Sequence, residues 1–353
     1  MAKKTPFTEQ KEKALKEHFE VLRKHLPDFA ITWINSKQNL TWSSRVAYTE
    51  DLIRFFQYVI DSTACRAAET NKLTLKDISD QDLSSRQFDD DFFNAYTSYL
   101  RECEQGQFRG NNNNSIERKL VPLRGLYLYY SNRGDIAVNP LANYERLKEP
   151  EAKTIVHLTN DEVKALINAV ETSEGLKLTE RQKKFREKTR QRDFAIIMLF
   201  LGTGIRISEC VGADLNHLNF KTNSLSVTRK GQKSDQVYFD EDVAEALQTY
   251  IDGERAAIKP NTEGEPLFYS LHGNRISADA VENLVKKYTK SITGEHITPH
   301  KLRATYGTAL YHATGDLGLV QDALGHSSPS TTKAYYVDSR KQNMMKAAQV
   351  KKY

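Results

Sequence analysis

The sequence predicts a mainly α protein with one small β-hairpin, divided into two domains. Three observations carry that reading. Apolar residues recur at helical spacing through much of the chain, as in the stripe Tyr48, Leu52, Phe55, Phe56 and Val59. Leu225, Val227, Val237 and Phe239 instead alternate with polar residues on either side of Lys230-Gly231-Gln232-Lys233, the pattern of two strands joined by a turn. Lys148 to Val156, with Pro150, reads as a linker before a sharp helix start, which places a domain boundary near residue 153. A chain of 353 residues has room for two separate cores.

Each element follows in order. Thr5-Pro6 has the form of an N-cap and a first-turn proline, and Leu15, Phe19, Leu22 and Leu26 continue as an amphipathic helix. This gives a helical extension over residues 1–40. Residues 41–150 read as all helical. Beyond the Tyr48 stripe, a second helix covers Phe92 to Arg101 with Phe93, Tyr96 and Leu100 on one face. After the polar run Gly110 to Asn114, Asn114 and Glu117 resemble a capping box for a helix whose face is Ile116, Leu120, Leu123, Tyr127 and Tyr130. Pro122 predicts a kink there, and Asn139-Pro140-Leu141 predicts the start of a last short helix.

Residues 154–353 form the second domain. Leu158 as a staple to Val163, and Thr159 with Glu162 as a capping box, open a helix over Asp161–Val170. A basic connection leads to a strongly apolar helix, Asp193–Leu201, which ends at Gly202-Thr203-Gly204. Another helix starts near Ile207, the hairpin follows, and helices from Asp240 onward fill most of the remainder.

Composition narrows the function classes. Hydrophobic content of 39% with 27% charged residues is that of an ordinary soluble protein. The longest apolar run, Ala195 to Leu201, is too short to span a bilayer, and Met1-Ala2-Lys3-Lys4 has no apolar stretch behind it, so no membrane or secretory role is expected. Cys65, Cys103 and Cys210 are odd in number and widely spaced, which suits buried thiols in a reducing cytoplasm and argues against a metal site. Net charge is only +5, but Arg181 to Arg192 holds seven Lys/Arg against the single acid Glu187. Such a run is most often a solvated helix face.

The chemistry lies in the last third. Arg206 follows a glycine break at a helix start, and Glu209, one turn on, is placed to orient its guanidinium or a neighbouring histidine. Lys230 sits at the hairpin turn, with Lys233 as a rival in the same turn. Thr298-Pro299 caps a helix that carries His300 and Arg303 one turn apart. Leu324-Gly325-His326 closes one helix, and Tyr335 and Tyr336 ride on the next. Guanidinium forks suit phosphate oxygens, a lysine or histidine can protonate a leaving oxygen, and a tyrosine hydroxyl can attack phosphorus. Each piece alone is common. The ordered set Arg, Lys, His-x-x-Arg, His, Tyr is not.

On these residues the chain strongly resembles the tyrosine recombinase/integrase family, over about residues 155–340. The resemblance implies that residues 41–150 are a core-binding, SAM-like DNA-binding domain and residues 154–353 the catalytic domain with a C-terminal tail. It implies that Arg206 and Arg303 clamp the scissile phosphate and Lys230 is the general acid. His300 and His326 would assist at the phosphate, Glu209 would support, and Tyr335 rather than Tyr336 would be the nucleophile. Arg229 stands where many members have glycine, and suggests an extra phosphate contact. The family needs no cofactor and no metal. It acts on double-stranded DNA as a homo-tetramer on two sites, passing through a 3′-phosphotyrosine and a Holliday junction. Within it, the chain looks like the single-protein Xer type, which implies chromosome dimer resolution at a dif-like site and a possible division or DNA-translocase partner. A mobile-element integrase and, further off, a type IB topoisomerase-like enzyme are the alternatives.

Overall fold

The computed structural model describes residues 6–62, 74–84, 88–102, 111–147, 157–176, 178–229, 233–293 and 297–325. Contacts divide the chain into two units, Glu9–Ala152 on the one hand and Met1–Thr8 with Lys153–Tyr353 on the other.

The Glu9–Ala152 unit is built by α1 (Pro6–Leu22, from Glu9 on), α2 (Asp28–Ser36), α3 (Trp42–Asp61), α4 (Asp90–Glu102) and α5 (Asn113–Arg133). Phe19, Leu26 and Trp33 share one core with Leu52, Phe55, Phe93, Tyr96 and Tyr127. The Arg45 guanidinium lies between the rings of Phe19 and Trp42, 4.5 and 4.6 Å from their centroids, and so holds α1 against α3. Gly125 lets Trp33 approach α5, since a Cβ there would stand 2.8 Å from the indole.

Two expectations in this unit change. Asn112, not Asn114, caps α5 by accepting from the Ser115 N–H at 2.8 Å. Glu117 accepts instead from Arg124 and from the Leu147 N–H. The short helix expected from Asn139 does not form. Arg124 donates to the carbonyls of Leu141 and Tyr144 at 3.2 and 3.0 Å, and takes acceptors that a helix would have used internally. α5 continues through Pro122 as one helix and ends at Gly134 in the left-handed conformation (φ 79°).

The second unit contains α6 (Asn160–Thr172), α7 (Glu180–Glu187), α8 (Arg190–Thr203) and α9 (Ile207–Gly212), then strands β1 (Leu218–Asn219), β2 (Ser224–Arg229) and β3 (Lys233–Tyr238). α10 (Glu241–Tyr250), α11 (Ala278–Thr293), α12 (Pro299–Thr314) and α13 (Leu317–Leu324) follow. α6 starts at the capping box read from sequence: Thr159 N–H donates to Glu162 Oε2 at 2.8 Å, and Glu162 N–H donates to Thr159 Oγ1 at 3.3 Å. α8 is the centre of the unit. Ile196, Ile197, Leu199 and Phe200 are all fully buried because α6, α10 and α12 pack around it.

The sheet is antiparallel in the order β1-β2-β3, with Leu225 opposite Val237 and Arg229 opposite Lys233. β1 is a third strand that the alternation pattern did not announce, being only two residues long. Part of the basic run is structural and not solvated. Arg186 donates to the carbonyls of Val170 and Glu171 at the end of α6, and Arg192, 7% exposed, pairs with buried Asp193. Tyr288 of α11 also donates to Asp193, at 3.1 Å, which ties α11 to the start of α8. No described helix is long and apolar enough to cross a membrane.

Candidate active site

The site is assembled at helix ends. α8 closes on Gly204, whose backbone is left-handed (φ 61°) and whose Cβ, if present, would press on the Tyr306 ring at 2.5 Å and on Leu324 at 2.8 Å. Both the conformation and the space require glycine. The break sets Arg206 at the N-cap of α9. Its backbone N–H donates to Glu209 Oε2 at 2.9 Å, and its Nη1 donates to Glu209 Oε1 at 2.7 Å. Glu209 is buried, so one carboxylate both caps the helix and fixes the guanidinium. Arg206 Nη2 donates to the Gly325 carbonyl at 2.9 Å. The side chain remains 35% exposed, which leaves one face open to an incoming anion.

Arg303 rises from the first turns of α12, whose N-terminus is capped by Thr298 with Pro299 behind it. It is 4% exposed. Its Nη1 donates to the Gly204 carbonyl at 2.5 Å and its Nη2 donates to the Leu324 carbonyl. The guanidinium thus sits at the C-terminal ends of α8 and α13, where helix dipoles favour a cation. His300 lies one turn earlier on α12. Protein packed around its imidazole, then the charges of Arg303 and Arg206, push its pKa below the ordinary histidine value. At neutral pH it is therefore a neutral ring beside two cations.

Arg229, the last residue of β2, completes the cluster. Its Nη1 donates to the Leu324 carbonyl at 2.7 Å, and its Nε lies 2.7 Å from Asp235 Oδ2, an ion pair too bent to be a hydrogen bond. Only 11% of the side chain is exposed. Its Nη1 and Nε thus face protein groups, a use that the expected extra phosphate contact did not include. Nothing in the sequence near residue 229 could have signalled this, because its carbonyl partner is 95 residues away.

Three guanidiniums, from Arg206, Arg229 and Arg303, converge on the adjacent carbonyls of Leu324 and Gly325. Glu209 pairs with Arg206, and Asp235 pairs with Arg229. Arg206, the most exposed of the three, can meet an anion with charge-assisted donors. Lys230, His326, Tyr335 and Tyr336 lie outside the described residues, while Lys233 opens β3 opposite Arg229. Cys210 is buried on α9 and its thiol is pushed up to about 12, by burial first and then by Glu209. That marks it as a packed side chain and not a nucleophile. Cys65 and Cys103 lie outside the described residues. Among the described residues no group of three or more His, Cys, Asp or Glu is arranged to hold a metal ion.

The chain is similar to known proteins over most of its length. A sequence model of the phage integrase family matches residues 157–343. The chain is 29% identical over 351 residues to tyrosine recombinase XerS of Streptococcus thermophilus, covering 92% of this chain and 96% of that protein. It is 28% identical over 354 residues to tyrosine recombinase XerS of Lactococcus lactis subsp. cremoris, with the same coverage. Among solved structures it is similar to the XerH site-specific recombinase bound to palindromic difH substrate in a post-cleavage complex. That match has a TM-score of 0.62 at 20% identity, over 90% of this chain and 82% of that one. It is also similar to the Tn1549 transposon integrase in complex with a circular intermediate DNA, with a TM-score of 0.63 at 20% identity, over 90% and 98% of the two chains. At that identity the two structures establish the shared fold.

Proposed function

The chain belongs to the phage integrase family, and from that premise we propose that it is a site-specific DNA recombinase of the tyrosine type. One observation carries the reading. Arg206, oriented by Glu209, and Arg303 are held side by side on the turn that leads directly into His326, inside the segment matched by the family. The two guanidiniums then bind the non-bridging oxygens of the scissile phosphate. The Tyr335 oxygen attacks phosphorus in line, and its proton leaves toward the histidine side of the site, His300 or His326. As the new P–O bond forms, the P–O5′ bond breaks and Lys230 protonates the departing 5′-oxygen. The 5′-hydroxyl of a partner strand reverses the step. Bond energy stays in the 3′-phosphotyrosine, so rejoining needs no nucleotide cofactor. Catalysis rests on positioning and on fixed positive charge around the phosphorane-like state.

The partner is double-stranded DNA. The helical Glu9–Ala152 unit serves as the core-binding domain and the second unit as the catalytic domain. Four copies act on two sites through a Holliday junction. The Xer naming of relatives at 28–29% identity is consistent with chromosome dimer resolution at a dif-like site. That role would set the enzyme in the cytoplasm and give it a DNA-translocase of the division machinery as a partner. The fold shared with the Tn1549 integrase keeps element integration as the second reading.

The test begins with a duplex selected by the protein from fragmented host DNA, nicked to trap the cleaved state. Wild type forms a covalent adduct, and Tyr335→Phe binds the duplex but forms none. Absence of any adduct in wild type, or its persistence in Tyr335→Phe, contradicts the proposal. Mapping the selected sequence separates the two roles, a single chromosomal site for dimer resolution and element ends for integration.

A further inference from the structure

The end of β2 is fastened to the turn after α13 by contacts that the cleavage chemistry does not itself call for. Arg229 donates to the Leu324 carbonyl, which also accepts from Arg303, so one backbone oxygen joins the hairpin to the phosphate clamp. Asp235, diagonally across the strand pair, holds the other side of the same guanidinium. Gly325 leaves the room: its backbone is left-handed (φ 58°), and a Cβ there would stand 1.1 Å from Arg229 Nη1 and 2.0 Å from its Cζ. Leu225, Val227 and Val237 pack the body of the hairpin into the core, but Arg229 is the last residue of β2, and the connection to β3 begins at the next residue, Lys230. A lysine carried on an unbraced tip samples many positions, and a misplacement of about 1 Å can cost a reaction roughly 10²-fold.

We propose that Arg229 is a positioning residue, locking the end of β2 onto the Leu324–Gly325 turn so that Lys230 is delivered to the leaving 5′-oxygen. This rests on the recombinase reading above. It also opposes the simpler use of an arginine beside a phosphate site, as a direct DNA contact. The two make different predictions, because a lost phosphate contact weakens binding and lowers the salt slope by about one, whereas a lost brace does neither.

The experiment compares wild type, Arg229→Ala and Asp235→Asn on two nicked duplexes of the selected sequence. One has the natural scissile 5′-oxygen. In the other, that bridging oxygen is replaced by sulfur, which departs as a thiolate and needs no proton. On the oxygen duplex Arg229→Ala forms the adduct about 10- to 100-fold more slowly than wild type, with unchanged affinity and salt slope. On the sulfur duplex its rate returns to within a few-fold of wild type. Asp235→Asn, altered at a half-exposed carboxylate, shows the same pattern with a smaller loss and tests the same joint should Arg229→Ala fold poorly. Reduced affinity with a shallower salt slope makes Arg229 a DNA contact and overturns the proposal. So does an unchanged rate on the oxygen duplex, or an equal loss on both duplexes. If wild type forms no adduct on either duplex, the recombinase reading itself has failed, a result distinct from all of these.

Discussion

Glu209 shows what a single buried carboxylate does for this site. It accepts from the Arg206 backbone and from its guanidinium, so the residue that opens α9 is also the residue whose charge is aimed. Glu209→Ala removes both acceptors and leaves Arg206 free to swing. We expect adduct formation to fall by roughly the 10²–10³-fold that loss of one oriented donor costs, measured in single-turnover cleavage. His300 gives a pH signature. Its folded pKa lies below the unfolded value, so as pH falls the unfolded chain takes up the proton first. Its effect on stability is absent above the ordinary histidine pKa, and stability is lost as pH drops below that value toward the lower folded one. His300→Gln therefore flattens the acid-side fall of the thermal midpoint, and an unchanged slope refutes this. A glycine break or a capped helix start marks the segments of Arg206, Glu209, His300 and Arg303, but each segment alone is common, and it is their order along the chain and the family resemblance that single them out. The role of Arg229 could not be read in this way, because it depends on a turn that only tertiary folding brings near.

Among the elements, α8 and α5 show where local sequence suffices and where it fails. From Phe194 to Leu201 α8 is apolar all round, which in sequence looks like any buried helix, and in the fold it is enclosed by α6, α10 and α12. Phe200→Ala in that stretch should destabilise the second unit by about 3–5 kcal/mol, measured by denaturant unfolding. The Thr159–Glu162 cap was legible because both partners lie within one turn. At α5 the same logic chose Asn114, and the fold chose Asn112, because Glu117 is drawn away to Arg124 and the Leu147 N–H. Asn112→Ala should cost about 1 kcal/mol, and Asn114→Ala little, in the same assay. The missing helix after Asn139 has a similar cause: Arg124 claims its carbonyls from another element.

At the scale of the molecule, two hydrophobic clusters, one around Trp33 and one around Phe200, belong to separate contact units. Calorimetry should accordingly show Trp33→Ala lowering one transition and Phe200→Ala the other; equal shifts of both would mean a single cooperative core. The two-unit, mostly helical plan could be read from periodicity and the proline-bearing linker. The packing of α1 and α2 into the first core could not, since amphipathicity says that a face is buried and not against what. The central claim concerns position 335. Wild-type protein trapped on a nicked duplex, digested and sequenced by mass spectrometry, should carry its nucleotide on Tyr335. A nucleotide on Tyr336, or on any other residue, contradicts the account.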